Sequence, residues 1–139
     1  MTDVDAIRSL VRMSRLLERA SGDLSLAHYR VLAAVDDGEE RASHVATRLA
    51  LGKPTISATV DALCRRGYLV RDPAPDQRAA TLRLTASGAA ALAAAETAMR
   101  ERFAAVLQHT ERPADVVAGL GRLGLGLDRL AADRLGSRA

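Results

Sequence analysis

The spacing of apolar positions along this 139-residue chain changes several times, and each change marks an element. Over residues 4–20, Ile7, Leu10, Val11, Ser14 and Leu17 recur every three or four positions, as one face of a helix does. "SGD" interrupts the pattern. A second helical run over about 25–35 turns Leu26, Tyr29, Leu32 and Ala33 inward, and "DDGEE" ends it. A short third helix follows, with Ser43 as its predicted N-cap and Val45, Ala46 and Leu49 inward. "LGKP" reads as a tight turn, with Gly52 supplying backbone freedom and Pro54 suited to the first turn of the next helix. That fourth helix runs to Arg66 and stops at Gly67.

The period then falls to two. "GYLVRDPAPDQRAATLRLT", residues 67–85, places two runs rich in Val, Leu and Thr around a loop of Pro, Asp, Gln and Arg. Two strands alone are marginal in water, so this hairpin must lean on helices while its polar tip reaches outward. Helical spacing returns over 86–109 behind Thr85 as cap. "TERP" breaks it, and Pro113 opens a last helix to Leu135. In that helix Val116, Leu120, Leu123, Leu127 and Leu130 repeat at steps of four, three, four and three, a heptad-like seam. Gly119, Gly121, Gly124 and Gly126 each lower helicity by roughly 1 kcal/mol. A helix that tolerates them is expected to pack closely against a helix of a second chain.

Short helix, turn, second helix and hairpin form the order of a winged helix-turn-helix, so the predicted fold is mainly α with a small β-hairpin wing. At about 100° per residue, Ile56, Val60 and Leu63 share the buried face of the fourth helix. Pro54, Ala58, Asp61 and Arg65 point away, with Thr55 and Ser57 on the flanks. A major groove about 12 Å wide admits a helix whose leading face is small and polar, and Lys53, Thr55 and Ser57 suit base edges and phosphates there. The hairpin tip would then lie over the neighbouring minor groove, where Arg78 can enter and Asp76 can hold its guanidinium. The plainer alternative for Asp76 and Arg78 is a surface ion pair of little energetic weight.

Charge sharpens this picture. Residues 1–40 hold five Arg against eight acids, residues 41–83 eight cations against three, and residues 84–139 seven against six. Nineteen of the twenty basic residues are Arg and 28 residues are Ala, which reads as codon bias, so abundance of Arg alone says nothing about partners. The depletion of acids from the middle third alone is what fits a polyanion-facing surface. No run approaches 18 uninterrupted apolar residues and no signal-peptide pattern opens the chain, so a cytoplasmic protein without membrane contact is expected. The single Cys64 excludes an internal disulfide framework and a Cys-rich zinc site. His28, His44 and His109 fall on three different helices without metal-ligand spacing. No nucleophile–base grouping, phosphate loop or carboxylate pair is present, so neither an enzyme nor a cofactor is expected.

"LSLAHYRVLAAV", "HVATRLALGKPTISATVDALCRRGYLVRDPAPDQRAATLRLTASG" and the two helices after them resemble the multiple antibiotic resistance regulator (MarR) family over nearly the whole chain. The most specific parts are "RRGYLVR", the D-x-R of Asp76 to Arg78, and "LRLTASG". The resemblance implies a single domain over 1–139, with a winged lobe at 25–85 and dimerisation helices at 1–24 and 86–139. It implies a homodimeric repressor on a pseudo-palindromic double-stranded DNA operator, released by a small phenolic or anionic ligand. The candidate DNA-contacting residues are Ser43, Lys53, Thr55, Ser57, Ala58, Asp61, Arg65, Arg71, Asp76, Gln77 and Arg78; His28 and Tyr29 are the candidates for the effector pocket. Ala58 and Gln77 depart from the family pattern, where many members carry basic residues. Two other readings fit the same residues: a winged-helix interaction module that has lost DNA binding, and a regulator that senses oxidants through Cys64.

Overall fold

Small polar residues open three of the helices. Thr2 accepts from the Asp5 amide at 3.2 Å while the Asp5 carboxylate accepts from the Thr2 amide at 3.1 Å, a reciprocal capping box. Ser25 accepts from the His28 amide at 3.1 Å, and Thr85 from the Gly88 amide at 3.0 Å. In the computed structural model, which describes residues 1–73 and 80–137, the elements are α1 (Asp3–Ala20), α2 (Leu26–Asp36), α3 (Ala42–Arg48), α4 (Lys53–Arg65), β1 (Leu69–Asp72), β2 (Thr81–Leu84), α5 (Ala86–Leu107) and α6 (Pro113–Gly136).

Two local expectations fail. The third helix is capped by Arg41, not Ser43; Ser43 lies inside α3, where its carbonyl accepts the Thr47 hydroxyl at 3.0 Å. The cause is long-range: Glu40 and Arg41 are extended because Arg41 bridges Thr81 of β2 and the Glu40 carbonyl accepts the Leu82 amide. The left-handed residue of the "LGKP" turn is also displaced. Gly52 is extended, with φ −70° and ψ 156°, and Ala50 carries φ 55°.

Ala50 belongs to a repeated device. After α2, α3 and α4 the chain closes each helix with paired bonds, Glu39 N–H to Ala34 O, Leu51 N–H to Ala46 O and Tyr68 N–H to Leu63 O, with the residue before the donor left-handed. This is the Schellman arrangement, in which glycine is the favoured left-handed residue. Gly38 and Gly67 fill that place after α2 and α4. Ala50 fills it in the helix-turn-helix itself.

The strands pair antiparallel, with Leu69 opposite Leu84 and Arg71 opposite Leu82. Leu69 and Leu82 are buried, so one hairpin face packs on the helices. The lobe's core unites Val31 and Leu32 of α2, Val45 of α3, Ile56, Val60 and Leu63 of α4, and Leu92 and Ala95 of α5. Gly88 lets α5 start there: a Cβ would lie 2.1 Å from the Tyr68 carbonyl oxygen. α6 packs on its own chain through its C-terminal half, where Ala131 is buried beside α3. No described helix is long and apolar enough to cross a membrane.

Candidate nucleic-acid interface and adjoining cavity

Helix α4 has two distinct faces. Ile56, Thr59, Val60 and Leu63 are buried, whereas Lys53, Pro54, Thr55, Ser57, Ala58 and Arg65 are exposed. The Thr59 hydroxyl, on the buried side, is spent on the Thr55 carbonyl at 2.9 Å. The N-terminal turn therefore presents a narrow, polar surface, with the helix's unpaired amides and partial positive charge beside it.

The hairpin is fastened to that helix by charge. Arg71 shares a hairpin face with Leu69 and Leu82, which points it at α4, and it forms an ion pair with Asp61. On the other face Arg83 Nε donates to Asp72 Oδ2 at 2.9 Å. That bond holds the Asp72 carboxyl below, and the Arg83 guanidinium above, their ordinary ranges. Both pairs are solvent-exposed and contribute little to stability, but they orient the hairpin arms beside α4. Asp76, Gln77 and Arg78 lie outside the described residues.

A cavity of about 500 Å³ adjoins the lobe where α1, α2, α5 and α6 approach one another. Leu10, Met13, Leu17, Met99, Phe103 and Leu120 give it apolar walls; Ser14, Tyr29, Glu96 and Arg100 add polar groups. The Tyr29 hydroxyl donates to Glu96 Oε1 at 3.2 Å, joining α2 of the lobe to α5. Burial, then the charge and hydrogen bond of Glu96, push the Tyr29 phenol up to about 12. His28 does not line this cavity. It lies near Arg66, which stacks over the Tyr68 ring at 4.8 Å from its centroid, and burial followed by the Arg66 charge lowers its pKa. Its Nδ1 is buried without a partner among the described residues.

A model of the MarR family matches residues 22–79. The solved structure of CouR, a transcriptional repressor bound to a 23-mer DNA duplex, superposes with a TM-score of 0.78 at 27% identity, covering 90% of this chain and 91% of CouR. Residues 22–79 are similar to the MarR family, and the fold of the whole chain is that of a MarR-type winged helix-turn-helix. CouR bound to p-coumaroyl-CoA matches with a TM-score of 0.67 at 24% identity over 89% of this chain and 91% of that one. The apo form of MarR from E. coli matches with 0.74 at 20% identity over 91% and 97%. No curated protein matches the chain. The match over the winged segment and the likeness to a DNA-bound repressor support a DNA-binding transcription regulator of the winged helix-turn-helix class.

Against that family frame, the predicted site residues fall into groups. Lys53, Thr55, Ser57 and Ala58 are together on the leading turn of α4, and Ser43 is exposed on α3. Asp61 and Arg71 meet each other, so each already has a partner of opposite charge. Tyr29 enters the cavity and His28 does not. Cys64 is partly buried against the lobe core. Glu96 and Arg100 are cavity residues that the sequence reading passed over. A signal for Glu96 was present: it is the one charged residue between Arg83 and Arg100, within an alanine-rich helix.

Proposed function

We propose that two copies of this MarR-like regulator form a homodimer that represses from a pseudo-palindromic operator and is released by a small ligand in the cavity beside Tyr29. The two-faced α4 carries the DNA-binding part of this reading. Its exposed leading turn, Lys53 to Ala58, is narrow enough for a major groove, and its buried face locks it to the lobe. Arg78, in the segment between the two strands, is the minor-groove contact; Arg65 supplies positive charge along the DNA backbone, and Arg71 holds the hairpin to α4 through Asp61.

Dimerisation is supported by an apolar surface too large for an isolated chain. Val4, Ile7, Leu10 and Val11 on α1 and Val116, Leu120 and Leu123 on α6 are all exposed. For the two α4 helices of such a dimer to enter successive major grooves they must lie on one side, about 34–36 Å apart, one turn of duplex. Release is supported by the cavity's position. Tyr29 and Glu96 join the lobe to α5 across it, so an occupant that separates or tightens them favours one lobe orientation. It shifts the balance only by its differential affinity for the two states. CouR has been solved with DNA and with p-coumaroyl-CoA, which supports a DNA partner and an acyl or phenolic ligand for this chain as well.

A mobility-shift series across salt concentrations on the DNA upstream of the gene tests this reading. A discrete complex whose affinity falls steeply with log salt is expected. A shallow slope or no complex with the folded protein would favour the interaction-module reading instead. Arg78→Ala is expected to weaken the complex about tenfold, the loss of a single charge-assisted contact.

A further inference from the structure

Eight cations lie within residues 41–83. Arg48, Arg71 and Arg83 pair with Asp37, Asp61 and Asp72. Arg66 stacks on Tyr68 and donates to the Asp23 carbonyl at 3.2 Å. Lys53 and Arg65 stand on the exposed face of α4, and Arg78 belongs to the segment between the strands. Arg41 is the one left over. It is exposed, and among the described residues it has no ion-pair partner. Local physics disfavours an arginine there. Arg41 is the N-cap of α3, a place that suits a short side chain accepting from the first amides, and it makes no such bond. Its charge also stands at the positive end of the helix. A residue that costs locally and gains nothing locally points to a contact outside the chain.

The hairpin fixes where that arginine stands. Arg41 bridges Thr81 antiparallel and the Glu40 carbonyl accepts the Leu82 amide, so the segment lies against β2 like a short third strand. Directly opposed residues share one face of a sheet. Arg41 therefore lies on the face of Asp72, Thr81 and Arg83, away from Leu69, Arg71 and Leu82. Thr81 is the first residue of β2, which puts Arg41 at the end of the sheet nearest the tip. The acids nearby do not neutralise it. Asp72 is spent on Arg83, and Glu40 falls on the other side because side chains alternate along an extended segment.

With α4 in a major groove and the tip over the next minor groove, the hairpin face that bears Arg71 looks back to α4. The face that bears Arg41 looks the other way along the duplex. We propose that Arg41 contacts a phosphate on the far wall of that minor groove, a backbone anchor beyond the bases that α4 meets. The contact rests on the DNA-binding reading of α4. It adds affinity without sequence preference, since a phosphate carries no base identity.

Fluorescence anisotropy with two duplexes tests it, one enriched from random sequences by the natural protein and one of scrambled sequence. The full chain is titrated into each across a salt series. Arg41→Gln is expected to weaken both duplexes alike, by about tenfold. The slope of log affinity against log salt is expected to fall by about one for each chain bound. Arg41→Lys is expected to keep the slope, because a phosphate contact of this kind needs the charge and not the planar fork. A residue that merely braced α3 would behave differently: its loss would weaken the enriched duplex, spare the scrambled one and leave the salt slope alone. That result overturns the proposal. So does an unchanged slope in Arg41→Gln whose circular dichroism shows it folded, or a slope in Arg41→Lys as low as in Arg41→Gln. If the natural protein enriches and binds no duplex at all, the DNA-binding reading fails and the contact fails with it.

Discussion

The winged lobe and the two outer helices contain similar apolar patterns, and the protein treats them in opposite ways. In the lobe, Leu32 and Leu63 are 0% exposed, buried by α2, α3, α4, the hairpin and the start of α5. On α1 and α6, Ile7 is 57% and Leu123 45% exposed, although both sit at regular helical spacing. Periodicity states which face of a helix wants cover; it does not state whether the cover comes from the same chain. The lobe is a core complete within one chain. The outer helices leave half of a core open, and on the proposed reading a second copy supplies the other half.

That contrast can be broken most severely on the outer helices. Leu123→Glu places a charge in the α6 seam, where an unpaired buried charge costs about 3–5 kcal/mol, and two-fold symmetry imposes it twice. The variant is expected to sediment as a monomer and to lose operator affinity by about two orders of magnitude or more, since each lobe then binds alone. Its lobe should stay folded, with helical circular dichroism largely retained. Gly88→Ala tests the other side. The new Cβ meets the Tyr68 carbonyl, and overpacking of this kind costs about 1–3 kcal/mol, read as a lower melting temperature without a change in dimer mass.

Tyr29 sharpens the comparison where the two regions join. Its phenol is raised to about 12, above the ordinary value of 10.0, because the folded state favours the neutral form. The associated stability is fully present below pH 10 and is lost as pH rises through about 12. Spectrophotometric titration of the native protein is expected to show a late tyrosine ionisation, and Tyr29→Phe to remove it. The smallest effect is at the helix-turn-helix. Ala50→Gly relieves a left-handed alanine at φ 55° and is expected to stabilise the lobe by up to about 1 kcal/mol, measured by urea unfolding.

Much of this was legible in the residues. The element order follows from where apolar spacing changes, and the ends of α4 and α5 are written locally, in Pro54, Gly67 and Thr85. What was not legible depends on distant partners. Ser43 lost the cap of α3 because Glu40 and Arg41 are drawn out by β2, forty residues later in the chain. Asp61 and Arg71 are neighbours only once the hairpin folds back on α4. Tyr29 and His28 are adjacent in sequence, yet the step of about 100° between neighbours on a helix sends the first to the cavity and the second towards Arg66. The exposed face of α4 was readable because a helix presents its own surface; the cavity was not, because four helices share it.

If a second copy completes α1 and α6, the pair binds DNA as a unit. Sedimentation velocity at micromolar protein, alone and with the upstream duplex, separates the two cases. On that pairing, twice the chain mass is expected without DNA and two chains per duplex with it. A monomer that binds the duplex one chain at a time, with the same affinity as Leu123→Glu, would contradict it.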